Sequence, residues 1–281
     1  KLYVNNGKSA VSFTEKAAEY GLDLNTYTTQ TAFFDYDNDG DLDAYVLNHN
    51  VKDFKRFDVS AVHFMRDSLA GHRLMRNDNG KFADVSIQAG IKGNPIGFGL
   101  GISTADVNGD GWMDIYVSND YIENDYLYIN NGDGTFTDQI AEATNHVSYF
   151  SMGNDIGDVN NDLLPDIITM VMLPEDNKRQ KLLFGPDKYE AYLSMLRNGL
   201  HNQTMRNMLQ LNNSTGGSQE PGVSKKKIAH FSEIGQLAGI SNTDWSWSAL
   251  LADYDNDGFQ DLFVTNGYLR DYTNNDFIKY Y

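Results

Sequence analysis

Four short apolar runs, "AYVLN" from Ala44, "IYVSN" from Ile115, "IITMV" from Ile167 and "LFVTN" from Leu262, each follow a nine-residue, mostly polar stretch. Runs this short, bounded by Asp and Gly, predict strands, and their near-continuous apolarity suits burial on both faces. Eight residues before each polar stretch stands an aromatic: Tyr27, Phe98, Phe150 and Trp245. Further upstream comes Leu-x-x-Asn, at Leu2–Asn5, Leu74–Asn77, Leu127–Asn130 and Leu209–Asn212. Each Asn opens a turn of hairpin chemistry. A Phe follows (Phe13, Phe82, Phe136, Phe231) with an acid two residues on (Glu15, Asp84, Asp138, Glu233). The polar stretch begins 22, 24, 22 and 22 residues after that Phe.

This register defines an internal repeat of hairpin strand, second strand, third strand, acidic turn and fourth strand. Such units are characteristic of β-propeller blades. A β-solenoid also repeats, but with shorter periods. We expect an all-β partial β-propeller over residues 1–281, with units at 1–50, 72–121, 122–172 and 207–267 and a short helical insertion. The aromatic eight residues before each loop is expected to fill the layer between blades.

The polar stretches are the chemical core of the pattern. They read "DYDNDGDLD" at 35, "DVNGDGWMD" at 106, "DVNNDLLPD" at 158 and "DYDNDGFQD" at 253. Carboxylates this close repel unless a cation lies among them, and Ca²⁺ takes six to eight oxygens in flexible geometry. Side chains one, three, five and nine can converge on an ion, with the backbone carbonyl of position seven. The expected ligands are Asp35, Asp37, Asp39, Asp41 and Asp43; Asp106, Asn108, Asp110, Trp112 and Asp114; Asp158, Asn160, Asp162, Leu164 and Asp166; and Asp253, Asp255, Asp257, Phe259 and Asp261. An EF-hand needs Glu at position twelve and flanking helices; position twelve here is Val46, Val117, Thr169 and Val264. Mg²⁺ demands stricter octahedral geometry, and zinc prefers Cys or clustered His.

Up to four structural Ca²⁺ ions are therefore expected. The third site should be weakest, because Leu163 stands where Gly permits positive φ. The alternative is an Asx-rich turn with no metal.

Composition narrows the function. The chain is 41% hydrophobic and 12% aromatic, enough for a sizeable core. Its net charge of −17 disfavours nucleic acid as a partner. Four calcium ions would offset eight of those charges and link metal to stability. There is no cysteine and no apolar run of membrane-spanning length. The chain opens inside a unit, "KLYVNNG", which we read as part of a longer polypeptide with an export signal upstream. Weak calcium sites favour an extracellular or outer-membrane surface.

The loops, with Phe98-Gly99 in "FGLGISTADVNGDGWMD", resemble FG-GAP and VCBS repeats, the calcium-binding blades also found in integrin α-chains. The Gly-Ala-Pro half is missing, since the matching segments read "LNHN", "VSND" and "VTNG", which shifts the likeness toward bacterial VCBS proteins. The segments beginning "MLPEDNKRQ" and "GISNTDWSW" resemble the propeller region of Bacteroidetes surface proteins with an ASPIC/UnbV module, relatives of cartilage acidic protein. That resemblance implies an exported propeller of seven or eight blades, four of them in this chain, beside an ASPIC/UnbV module elsewhere in the polypeptide. It implies no established activity.

Loop-to-loop spacings of 71, 52 and 95 residues place insertions at about 50–72 and 173–206. The second is expected to hold a helix begun by Asp187 and Glu190, striped by Tyr189, Tyr192, Leu193 and Leu196, and ended by Gly199. The insertions carry Lys52, Lys55, Arg56, Arg66, Lys178, Arg179, Lys181, Lys188, Arg197 and Arg206. A glycan or surface protein could dock there, although a helix that simply caps a blade edge is the plainer reading. The stretch 212–227, with Lys225, Lys226 and Lys227, reads as a long solvated hairpin loop.

Trp245 and Trp247 read as core, while Trp112 and Phe259 are free to pack or to face a ligand. No HExxH, GxSxG or Cys nucleophile is present, and "GFGLG" lacks a phosphate loop's third Gly and helix. The six histidines (His49, His63, His72, His146, His201, His230) lack ligand spacing. The leading expectation is a non-catalytic extracellular binding or adhesion module. The alternatives are a subunit of an outer-membrane surface assembly and a carbohydrate-active lyase or hydrolase.

Overall fold

The computed structural model describes residues 1–7, 11–51, 59–184, 189–214, 229–267 and 274–280. Three four-stranded antiparallel sheets form the body. The first runs Thr28–Phe34, Asp43–Asn48, Arg73–Asn77, Phe82–Asp84 in spatial order. The second runs Gly99–Ala105, Asp114–Asn119, Tyr126–Asn130, Phe136–Asp138. The third runs Asn154–Gly157, Asp166–Thr169, Met208–Asn212, Phe231–Glu233.

Two partial sheets flank these three. A hairpin of Tyr3–Asn5 and Phe13–Glu15 stands before them. A pair of Asp244–Ala252 and Asp261–Asn266 stands after them, edged by the short strand Met172–Leu173. The strands Thr28–Phe34, Gly99–Ala105, Asn154–Gly157 and Asp244–Ala252 pack side by side at the inner edge, so the sheets radiate as the blades of an all-β propeller.

The strand behind each of the first three acidic loops is buried on both faces, which explains its continuous apolarity, whereas Asp261–Asn266 behind the fourth is only partly covered. Tyr45 and Leu47 pack with Ile115, Val117, Tyr126 and Tyr128 of the second sheet, while Ala44 and Val46 turn to Leu22 and Leu24. Tyr116 faces the third sheet beside Ile167, and Ile168 faces Ala249 of the last pair. Each fully buried side chain of this size stabilises the fold by about 1.5–3 kcal/mol.

The sequence unit and the sheet are out of phase by two strands. A sheet takes its inner pair from one unit and its outer Leu-x-x-Asn hairpin from the next. The cause is pairing: Tyr45 lies opposite Ala32 on one edge and Leu74 on the other.

The aromatic slot behaves differently from expectation. Trp245 is buried, but Tyr27, Phe98 and Phe150 are half-buried. Phe98 stacks on His49 at 4.7 Å and meets Tyr121 edge-on at 4.8 Å, and Tyr121 reaches Phe150 at 6.4 Å. These rings form a chain across sheets at the strand ends opposite the acidic loops. Trp247, expected in the core, is 38% exposed on the last pair.

Between Met172–Leu173 and the strand Gln203–Thr204 lie two helices, Asn177–Leu183 and Tyr189–Arg197. Asp176 caps the first by accepting the Arg179 N–H at 2.9 Å. Gly199, at φ 81°, ends the second. Asp187 and Lys188 lie outside the described residues. Tyr189 and Leu196 are exposed, so the expected apolar stripe is not fully covered.

Candidate metal-binding loops

Each acidic loop is shaped by its own carboxylates. Asp35 accepts the N–H groups of Asp39 and Gly40 at 3.2 and 3.0 Å, one on each oxygen. Asp106, Asp158 and Asp253 bind positions five and six of their loops in the same way. Position five accepts from position seven: Asp39 from Asp41, Asp110 from Trp112, Asp162 from Leu164 and Asp257 from Phe259. Position four takes positive φ in all four loops, with Asn38, Gly109, Asn161 and Asn256 between 56° and 67°. Asn and Gly tolerate that region best, a signal present in the sequence but passed over. Position six follows suit, including Leu163 at 69°.

Position nine ties loop to sheet. Asp43 accepts the Tyr36 N–H and, at 2.8 Å, that of Asn77. Asp114 accepts from Val107 and Asn130, and Asp166 from Val159 and Asn212. Asp261 accepts only from Tyr254 among the described residues.

The structure gathers Asp35, Asp37 and Asp39 so that one oxygen of each lies within 4.8 Å of the others, and it gathers Asp253, Asp255 and Asp261 equally closely. Asp37 Oδ1 and Asp41 Oδ1 are shielded from solvent without a hydrogen-bond partner. A cation among the three converging carboxylates would satisfy the Asp37 oxygen, so the residues of the first loop fit a hard metal ion. In the second and third loops, Asn108 and Asn160 turn their amide nitrogens onto Asp110 and Asp162 at 2.9 Å. Asp106, Asp110 and Asp114, and likewise Asp158, Asp162 and Asp166, are not drawn into a comparable cluster. Trp112 rests its ring against Gly132 of the neighbouring turn, while Phe259 is exposed.

Burial pushes the position-nine acids up: Asp43 to about 6, Asp114 to about 8, and Asp166 in the same direction. Asp37 rises through burial and the neighbouring charges of Asp39 and Asp35.

The repeated Asn does more than start a turn. Asn130 donates its side-chain amide to the Tyr36 carbonyl of the first loop at 2.7 Å, and Asn212 to the Val107 carbonyl of the second at 2.8 Å. Asn38 reaches the Gly111 carbonyl, and Asn161 that of Gly258. Neighbouring loops are thereby bound edge to edge.

Of the basic residues in the insertions, Arg66 donates to the Ile91 carbonyl, Arg179 pairs with Asp244 and Arg206 with Glu233. These guanidiniums are engaged inside the fold. Lys52, Lys55, Arg56, Lys188 and the lysines at 225–227 lie outside the described residues. Neither carboxylate cluster includes a histidine. Burial lowers His49, His146 and His201 and takes His72 down to about 4, while His63 pairs with buried Glu123 at 2.9 Å. No helix among the described residues is long and apolar enough to cross a membrane.

Residues 59–117 and 106–169 match the FG-GAP-like repeat, taking in the second and third loops. A structure of an Agrocybe aegerita lectin, concerned with specific recognition of non-reducing terminal N-acetylglucosamine, aligns with 92% of this chain at 16% identity and a TM-score of 0.42. The chain spans about half of that structure's length, 53%. No curated protein matches the chain.

Proposed function

We propose that this chain of FG-GAP-like repeats is a calcium-braced β-propeller that binds a partner rather than transforming one, at the cell exterior. The observation that carries the calcium reading is the shielded, unpartnered oxygen of Asp37, one of three converging carboxylates. Calcium there would be structural, since the same loops are stitched to one another through Asn38 and Asn161. The first and fourth loops bind most tightly, and the third is weakest because of Leu163.

Calcium titration of chelator-treated protein, followed by calorimetry and thermal unfolding, tests this reading. At about a hundredfold excess over Kd, two tight sites should raise the midpoint by about 10 °C or more. An unchanged midpoint with no binding heat would sink it.

The partner we assign is a glycan or a surface protein, met at the ring-bearing end where Tyr121 is exposed between Phe98 and Phe150. An exposed aromatic presents an apolar face beside a polar rim, which suits either partner. The engaged arginines weigh against the insertions as a basic docking face. Retention on a glycan and surface-protein array in millimolar calcium, lost in Tyr121→Ala while the fold persists, is the expected outcome. Product release in the same wells would instead indicate an enzyme.

A further inference from the structure

Six residues past the position-nine acid, three of the four units carry His49, Met172 and Gly267, and the second alone carries an acid, Asp120. The repeat therefore does not call for a carboxylate at this place. Asp120 is only 8% exposed. Its backbone N–H donates to the Phe98 carbonyl at 2.9 Å, and its Oδ1 accepts the Tyr121 N–H at 2.7 Å. Oδ2 accepts no hydrogen bond among the described residues, and no cation among them pairs with the carboxylate. A buried charge left in this state is costly to the fold. Burial raises its carboxyl only to about 6, so it stays ionised at neutral pH.

Aromatic residues surround it. Phe98 supplies the carbonyl, Tyr121 is next in the chain, and the Tyr149 hydroxyl is pushed up by burial and by the Asp120 charge. The Phe150 ring lies 3.8 Å from that of Tyr149 and 6.4 Å from that of Tyr121. Tyr121 and Phe150 both hold left-handed backbone, at φ 65° and 64°. Bulky side chains rarely take that conformation, and it recurs at ligand clamps. Tyr121 is 44% exposed, so the charge lies behind an aromatic rim.

We propose that Asp120, with the rings of Phe98, Tyr121, Tyr149 and Phe150, receives a lysine side chain of a partner protein. This rests on the reading of the ring-bearing end as a binding face, and it chooses between the two partners named there. An ammonium can donate to a single oxygen, and Oδ2 is the one on offer. A guanidinium is held best by both oxygens of a carboxylate, and Oδ1 is already engaged. A calcium ion needs six to eight oxygens, which a rim of rings does not supply. Lysine lays its carbon stem along apolar surface while its head reaches a charge, and aromatic faces attract that head. An amine fixed directly to a sugar ring has no stem with which to reach so buried an acid. The net charge of −17 draws basic partners toward the chain.

Nα-acetyl-lysine methylamide, titrated into the 281-residue chain in calcium and followed by backbone amide NMR, tests the receptor. Saturable shifts are expected at Asp120 and Tyr121, with affinity lowered at least about tenfold by Asp120→Asn. The Nε-acetylated probe should lose as much on the unaltered chain, a comparison that needs no variant to fold. Asp120→Asn removes an unpaired buried charge, so its thermal midpoint should hold or rise. Absence of a saturable shift, or binding indifferent to Asp120→Asn or to Nε-acetylation, overturns the proposal. Glucosamine shifting these amides where the lysine probe does not overturns it in favour of a glycan amine. An array partner lost in Tyr121→Ala but kept in Asp120→Asn also overturns it, while the ring-bearing end remains a binding face. If no array partner is retained and no amide shifts, both readings fall.

Discussion

Leu163 holds a backbone conformation that Gly40, Gly111 and Gly258 hold elsewhere, and its side chain is 89% exposed. It therefore carries the cost of left-handed φ, roughly 1–2 kcal/mol, without compensating burial. Replacing it with Gly returns part of the gain to the unfolded chain, roughly 0.4–1 kcal/mol. Leu163→Gly should stabilise the protein by about 0.5–1 kcal/mol and raise calcium affinity at the third loop. Scanning calorimetry with and without calcium checks both, and a lowered midpoint would refute the first. This position was legible because its loop has three partners to compare with. The work of Asn130 and Asn212 was not: an Asn that opens a turn has the same letter as one that spans two sheets.

Among elements, the strands behind the first three acidic loops were the most legible, since burial on both faces leaves its mark in consecutive apolar residues. Strand pairing leaves no such mark, and so the sheets proved to be two strands out of phase with the repeat. Trp247 was misplaced because a residue's place in the repeat says nothing about whether a further layer covers the last pair. The cross-sheet bond from Asn130 is buried, and its loss strands the Tyr36 carbonyl and the Gly132 N–H, which now bonds Asn130 Oδ1. Asn130→Ala should cost about 2–4 kcal/mol, measured by urea unfolding. A cost below about 0.5 kcal/mol would show that water replaces the bond.

For the whole molecule, four buried carboxylates titrate high: Asp43 and Asp120 at about 6, Asp125 at about 7 and Asp114 at about 8. Burial is the leading cause in each. Asp125, held by the Tyr116 and Ser151 hydroxyls, lies outside the acidic loops. Because these folded values exceed the unfolded ones, the metal-free native state binds more protons than the unfolded chain between about pH 4 and 8. Its stability should therefore fall as pH rises through that window. Calcium, which requires the deprotonated loop acids, should flatten the fall without abolishing it. Thermal midpoints in chelator and in calcium across this range check the sign; a metal-free midpoint that climbs with pH would contradict it.

The Asn ties from the outer strands have a direction, opposite to that of the loop ties from Asn38 and Asn161. Asn130 reaches back to Tyr36 and Asn212 back to Val107, so in both the donor comes later in the chain than its acceptor. Synthesis runs the same way, and domains settle from the N-terminal end as they emerge. A chain leaving the ribosome thus meets each docking carbonyl before the amide that will hold it. Through these outer-strand ties a new blade can latch onto a neighbour already made.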